Sequence, residues 1–120
     1  MFKIYFYKDA SGKEPVAEYI RSLAARSDKD SRIKMNKILD YLNILEKYGT
    51  RAGEPYMKHI ENDVWELRPR RDRIFFFAWK GDRFILLHHF MKKTQKTPRR
   101  EIEQAKRNMR DYIERSGENE

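Results

Sequence analysis

Two apolar stretches, Ile74-Phe75-Phe76-Phe77-Ala78-Trp79 and Phe84-Ile85-Leu86-Leu87, stand on either side of Gly81-Asp82. A Gly-Asp step between two such runs signals a tight hairpin. Strands with one wet face alternate apolar and polar residues, and these runs do not, so both of their faces need cover. Residues 73–80 and 83–90 are therefore expected to be central strands of a sheet, with helices over at least one side.

The other elements arrange themselves around that hairpin. Phe2, Ile4 and Phe6 alternate with Lys3, Tyr5 and Tyr7, the period of two that marks a strand. Asp9 to Gly12 breaks it. Glu14-Pro15 then opens a helix, since proline's missing N–H costs nothing in a first turn. Val16, Tyr19, Ile20 and Leu23 give that helix its apolar stripe. Ser27 with Asp30 resembles a capping box for a second helix, whose stripe is Met35, Ile38, Leu39, Leu42 and Leu45 and whose stop is Gly49. The short connection predicts an antiparallel helical hairpin against the sheet.

A loop around Gly53-Glu54-Pro55, continuing through Lys58 and His59, leads to a strand over 64–68 with Trp65 and Leu67 on one face and Glu66 and Arg68 on the other. Thr97 is expected to cap the last helix, with Pro98 in its first turn. Ile102, Ala105, Met109, Tyr112 and Ile113 form that helix's inward face. The expected class is α+β: a mainly antiparallel sheet in the order β-α-α-β-β-β-α, one domain over 1–115, and a polar tail over 116–120.

Charge is the second constraint. Between Arg68 and Arg100 stand eleven Lys or Arg residues against Asp72 and Asp82, a formal +9 in a chain whose total is +8. Cations flanking buried strands converge on one rigid surface, which suits a polyanion such as nucleic acid. The chain has no cysteine, which removes disulfides, thiol catalysis and thiolate zinc sites. No signal peptide is visible at the amino terminus, and no apolar run approaches the ~20 residues a bilayer span needs. A soluble cytoplasmic protein is expected, with no membrane association.

Two constellations can carry chemistry. The first is Glu66-Leu67-Arg68-Pro69-Arg70-Arg71-Asp72-Arg73, in which Arg68 and Arg73 flank a strand-to-strand turn and can approach one site. Paired arginines hold a phosphate and stabilise charge that develops on it. The plain alternative is a solvated hairpin tip. The second is Met91 to Arg100, where Lys92, Lys93 and Lys96 precede a helix amino terminus and Arg99 and Arg100 occupy its first turn. Helix dipoles favour acids there, so cations in that turn mark an anion site.

His88 and His89 face opposite sides by alternation, and His59 lies apart. This is no metal spacing, and neither metal nor cofactor is expected. Without a phosphate loop or nucleophile elbow, any chemistry must run on cations. Cleaving RNA without metal fits, because the 2′-hydroxyl is an internal nucleophile that the protein orients while stabilising a dianionic phosphorane. A lysine crowded by cations has a lowered pKa and can transfer a proton near neutrality.

Trp65-Glu66-Leu67-Arg68, Asp72-Arg73-Ile74-Phe75-Phe76 and the stretch from Leu86 through Phe90-Met91-Lys92-Lys93-Thr94-Gln95-Lys96-Thr97-Pro98 to Ile102 resemble the phage-derived HigB-like branch of the RelE/ParE toxin superfamily. The resemblance covers about the last sixty residues. It implies a RelE-like fold and the toxin of a type II toxin–antitoxin system, a ribosome-dependent mRNA endoribonuclease neutralised by a HigA-like helix-turn-helix antitoxin. Operator DNA would be met only through the antitoxin complex. It further implies catalytic roles for Arg68, Arg73, Lys92 and Lys93, and substrate contacts from Lys58, Glu66, Lys96 and Arg99. Arg99 stands where the family often keeps a late tyrosine or histidine. Two other readings follow from the same residues: a ParE-like gyrase inhibitor that cleaves nothing, and a basic RNA- or ribosome-binding module without catalysis.

Overall fold

A computed structural model describes residues 1–118. In chain order the elements are β1 (Lys3–Phe6), α1 (Pro15–Ala24), α2 (Lys29–Tyr48), a short 3-10 turn (Gly49–Ala52), β2 (Met57–Glu61), β3 (Val64–Leu67), β4 (Asp72–Trp79), β5 (Arg83–Met91) and α3 (Arg99–Glu118). The class is α+β, but the sheet has five strands where the sequence predicts four, in the order β1-β5-β4-β3-β2. β1 lies parallel to β5 and the other pairings are antiparallel, so the sheet is mixed.

The extra strand is β2, which the sequence reading leaves as loop. Met57–Glu61 carries Lys58, His59 and Glu61 and has no apolar alternation. Its strand character comes from pairing with β3, and at a sheet edge one row of side chains stays wet. This register sets Lys58 opposite Glu66.

β4 and β5 are central, and helices cover both of their faces. On one face Val16 and Leu23 of α1 and Ile38 and Leu45 of α2 pack with Ile74, Phe76, Phe84 and Leu86. On the other, Ile102, Ala105 and Met109 of α3 pack with Phe75, Phe77, Ile85, Leu87 and Phe90. The apolar stripes are narrower than predicted, since Leu39 and Ile113 are 45% and 38% exposed.

A bulge in β5 positions the site. Phe75 pairs with His88 while Phe76 pairs with Leu86, so Leu87 has no opposite number. One extra residue reverses the inward–outward phase of everything that follows. Phe90 thus stays on the α3 face with Ile85 and Leu87, whereas His89 turns to α1. By the same alternation Lys92 follows Phe90, and Met91 follows His89. The buried Asn108 of α3 reaches this bulge, its Nδ2 donating to the Leu87 carbonyl at 2.8 Å.

Two helix starts differ from the sequence reading. The cap of α2 is Asp28, whose carboxylate accepts from the Ser31 N–H at 3.0 Å, and not Ser27. In α3 the carbonyl of Pro98 accepts the first helical N–H groups, while the Thr97 hydroxyl donates to Glu66 Oε2 at 3.2 Å instead of capping. Helix α3 also takes in Ser116 and Gly117, expected as tail; Asn119 and Glu120 lie outside the described residues.

Candidate functional site

At one end of the sheet the β3–β4 turn meets the segment that leaves β5. Arg70 sits at a φ of 59°, a left-handed conformation that a long side chain seldom adopts. The turn is clasped by the residue that follows it. Arg73 Nη1 donates to the Arg70 carbonyl at 2.6 Å and to the Asp72 carbonyl at 2.9 Å. Lys92 N–H donates to the Arg71 carbonyl at 2.8 Å, tying the exit of β5 to the same turn.

Glu66 lies beneath, 1% exposed. Its Oε1 is 3.5 Å from Arg68 Nε and 3.6 Å from Arg73 Nε, and its Oε2 accepts from Thr97. The two guanidinium groups on either side of the turn therefore meet on one carboxylate. Arg68 also donates to Glu54 Oε1 at 3.3 Å. Arg73 is 8% exposed, and its Nε has no hydrogen-bond partner among the described residues. Burial draws its guanidinium below the ordinary value, against the pull of Glu66.

Above this base lie two adjoining clefts. Arg71, Arg73, Lys92, Lys93, Thr94 and Gln95 line the first, of ≈ 470 Å³. Lys58, Ile60, Glu66, Arg68, Lys92, Gln95, Lys96 and Thr97 line the second, of ≈ 340 Å³. Lys92 and Gln95 belong to both. Seven cations thus surround one carboxylate, a field complementary to a chain of phosphates. Lys92 is half-buried among them. Desolvation, then Arg73 and Arg68, hold its ammonium below the ordinary lysine range, with Glu66 opposing.

Residues 21–110 match the family model described as Phage derived protein Gp49-like (DUF891). The chain belongs to that family. Gp49-like proteins are a RelE/HigB-like toxin family associated with toxin–antitoxin systems. No curated protein matches the chain. The matched region spans α2, β2 to β5 and most of α3, and so contains every lining residue of both clefts.

Of the eight residues singled out from the sequence, Lys58, Glu66, Arg68, Arg73, Lys92, Lys93 and Lys96 line these clefts in the Gp49-like chain. Arg99 does not. Its guanidinium donates to both carboxylate oxygens of Glu61, at 2.5 and 2.9 Å, and to Glu103 at 2.5 Å. Those acids raise its pKa and cancel the electrostatic cost of a cation in that turn, so its placement clips α3 to β2. Arg71, Gln95 and the Thr97 hydroxyl are members that spacing did not single out. Arg71 is one of four arginines within six residues, and only the turn decides which cleft each of them faces.

His88 and His89 are both engaged. His88 Nε2 lies 2.8 Å from Glu101 Oε1 on the α3 side, and His89 Nε2 lies 2.9 Å from Asp72 Oδ1 on the α1 side, stacked on Tyr19. They face opposite ways, as alternation and the bulge together require. Among the described residues no three His, Cys, Asp or Glu side chains gather as metal ligands, and no helix is long and apolar enough to cross a membrane.

Proposed function

We propose that this Gp49-like protein is the toxin of a type II toxin–antitoxin pair and a metal-independent endoribonuclease, acting in the HigB-like manner on messages at the ribosome. The observation that carries this reading is the convergence of Arg68 and Arg73 on Glu66 beneath clefts lined by Lys58, Lys92, Lys93 and Lys96. Arginine on a fixed carboxylate is held at a set orientation, so it stabilises developing charge without first having to reorganise. Glu66 holds both guanidiniums and is no ligand for the substrate itself.

The step is an internal transfer. The 2′-oxygen bonds to phosphorus as its proton passes to solvent. Arg68, Arg73 and Lys93 share the charge of the phosphorane. The P–O5′ bond then breaks while Lys92, whose ammonium is held below the ordinary lysine range, protonates the departing oxygen. A 2′,3′-cyclic phosphate and a 5′-hydroxyl remain. The antitoxin partner is a helix-turn-helix protein, through which any operator DNA is met, and the site of action is the cytoplasm.

The test is cleavage of translated mRNA by the purified chain. Arg73→Ala and Lys93→Ala are each expected to lose ~2–4 kcal/mol of transition-state stabilisation, or ~30- to 1,000-fold in rate. Undiminished cutting by both variants removes the assignment. Intact transcripts accompanied by DNA breaks in intoxicated cells select the gyrase-inhibitor reading, and RNA binding without cutting selects the non-catalytic module.

A further inference from the structure

A third cleft lies across the β3–β4 turn, lined by Asp30, Lys34, Arg70, Arg71, Asp72 and Met91, with a volume of ≈ 570 Å³. That is within the ≈ 300–1,000 Å³ of small-molecule sites. Arg71 lines both this cleft and the first cationic one, so the two meet over the turn. Their linings differ because β4 and β5 alternate. Arg73 pairs with Phe90 and serves one face, while Asp72 pairs with Met91 and serves the other.

The chemistry of the two sides differs accordingly. The clefts already described hold seven cations and one buried acid, which suits phosphate. The third sets two carboxylates and a thioether among three cations. Carboxylates repel a phosphate, whereas acceptors, donors and an apolar floor together match the edge and face of a nucleobase. Asp72 Oδ1 is already occupied by the Tyr19 hydroxyl at 2.7 Å and by His89. Asp30 is the open acceptor: its side chain is 74% exposed and only loosely paired with Lys34, at 3.8 Å.

We infer that this cleft binds the base of a nucleotide flanking the scissile phosphate and selects amino-bearing bases over uracil. The inference rests on the endoribonuclease reading. RNA held by its phosphates on the cationic side passes over Arg70 and Arg71 and lays one splayed base on Met91, with Asp30 accepting from its exocyclic amino group. Adenine, cytosine and guanine all have such a group. Uracil has a single N3–H between two carbonyl oxygens, and a carboxylate approaching that N–H is repelled from both sides.

The experiment uses the full chain and translated messages identical except for the bases on either side of one cut. Wild type is expected to cut at least about tenfold more slowly when uridine occupies one of those positions, the discrimination of a good base-edge contact. Asp30→Ala should level the four bases at that position. Asp30→Asn, which offers an N–H beside a C=O, should raise the relative rate at uridine, a gain that a poorly folded variant cannot give. Wild-type cutting with the same base preferences as both variants overturns the inference and leaves the nuclease reading standing. Absence of cutting by wild type on every message overturns both.

Discussion

Lys92 shows how far a single side chain depends on its surroundings. Desolvation and then two guanidiniums lower its pKa from the ordinary lysine value. As proton donor it must be charged, so the rate is fully present below its folded pKa and is lost as pH rises through it. The Lys92→Arg variant keeps its proton, and its slower rate should stay flat across the range where wild type declines. The measurement is kcat/KM against pH for both proteins, and an identical alkaline decline in Lys92→Arg would mean that another group titrates. At this scale much was legible in the sequence. A cluster of arginines and lysines predicts a lysine with a lowered pKa, whichever lysine it proves to be. That it is Lys92, partly desolvated beside Arg73 and Arg68 and against the opposing pull of Glu66, follows from packing. Arg99 shows the converse, since a cation misplaced by helix electrostatics alone was neutralised by Glu61 from a strand far away in the chain.

Among the elements, the bulge in β5 decides most. Without the extra residue at Leu87, Lys92 would point to the α1 side and Met91 to Glu66. Asn108 secures the bulge by donating to the Leu87 carbonyl. Replacing Asn108 with Ala removes a buried hydrogen bond and should cost about 1–3 kcal/mol, read by chemical denaturation. A change below ~0.5 kcal/mol would mean that water or a shifted strand replaces the bond. The central hairpin could be read from the sequence because unbroken apolar runs leave few alternatives. The bulge could not, since Leu-Leu-His-His has no local signature for an extra residue. β2 was hidden for a related reason: its strand character resides in the partner β3, and its own residues show no apolar alternation. Thr97 misled in another way, because a threonine before Pro98 looks like a cap until a buried carboxylate competes for its hydroxyl.

Across the whole molecule, nine of the eleven cations of residues 68–100 lie toward one end of a sheet whose faces are sealed by helices, while Lys80 and Arg83 flank the β4–β5 turn at the other end. The strand ends and the turn between β3 and β4 are what remain to present charge, so the core and the site are set by the same alternation. In the function proposed above, this rigid cationic end holds the phosphate while the substrate's own 2′-hydroxyl attacks. The chemical nature of the cut ends tests this most directly. Translated message treated with the purified protein should carry 2′,3′-cyclic phosphate upstream of each cut and 5′-hydroxyl downstream. Ends bearing 3′-hydroxyl and 5′-phosphate would show that water, and not the ribose, attacks, and would contradict the account.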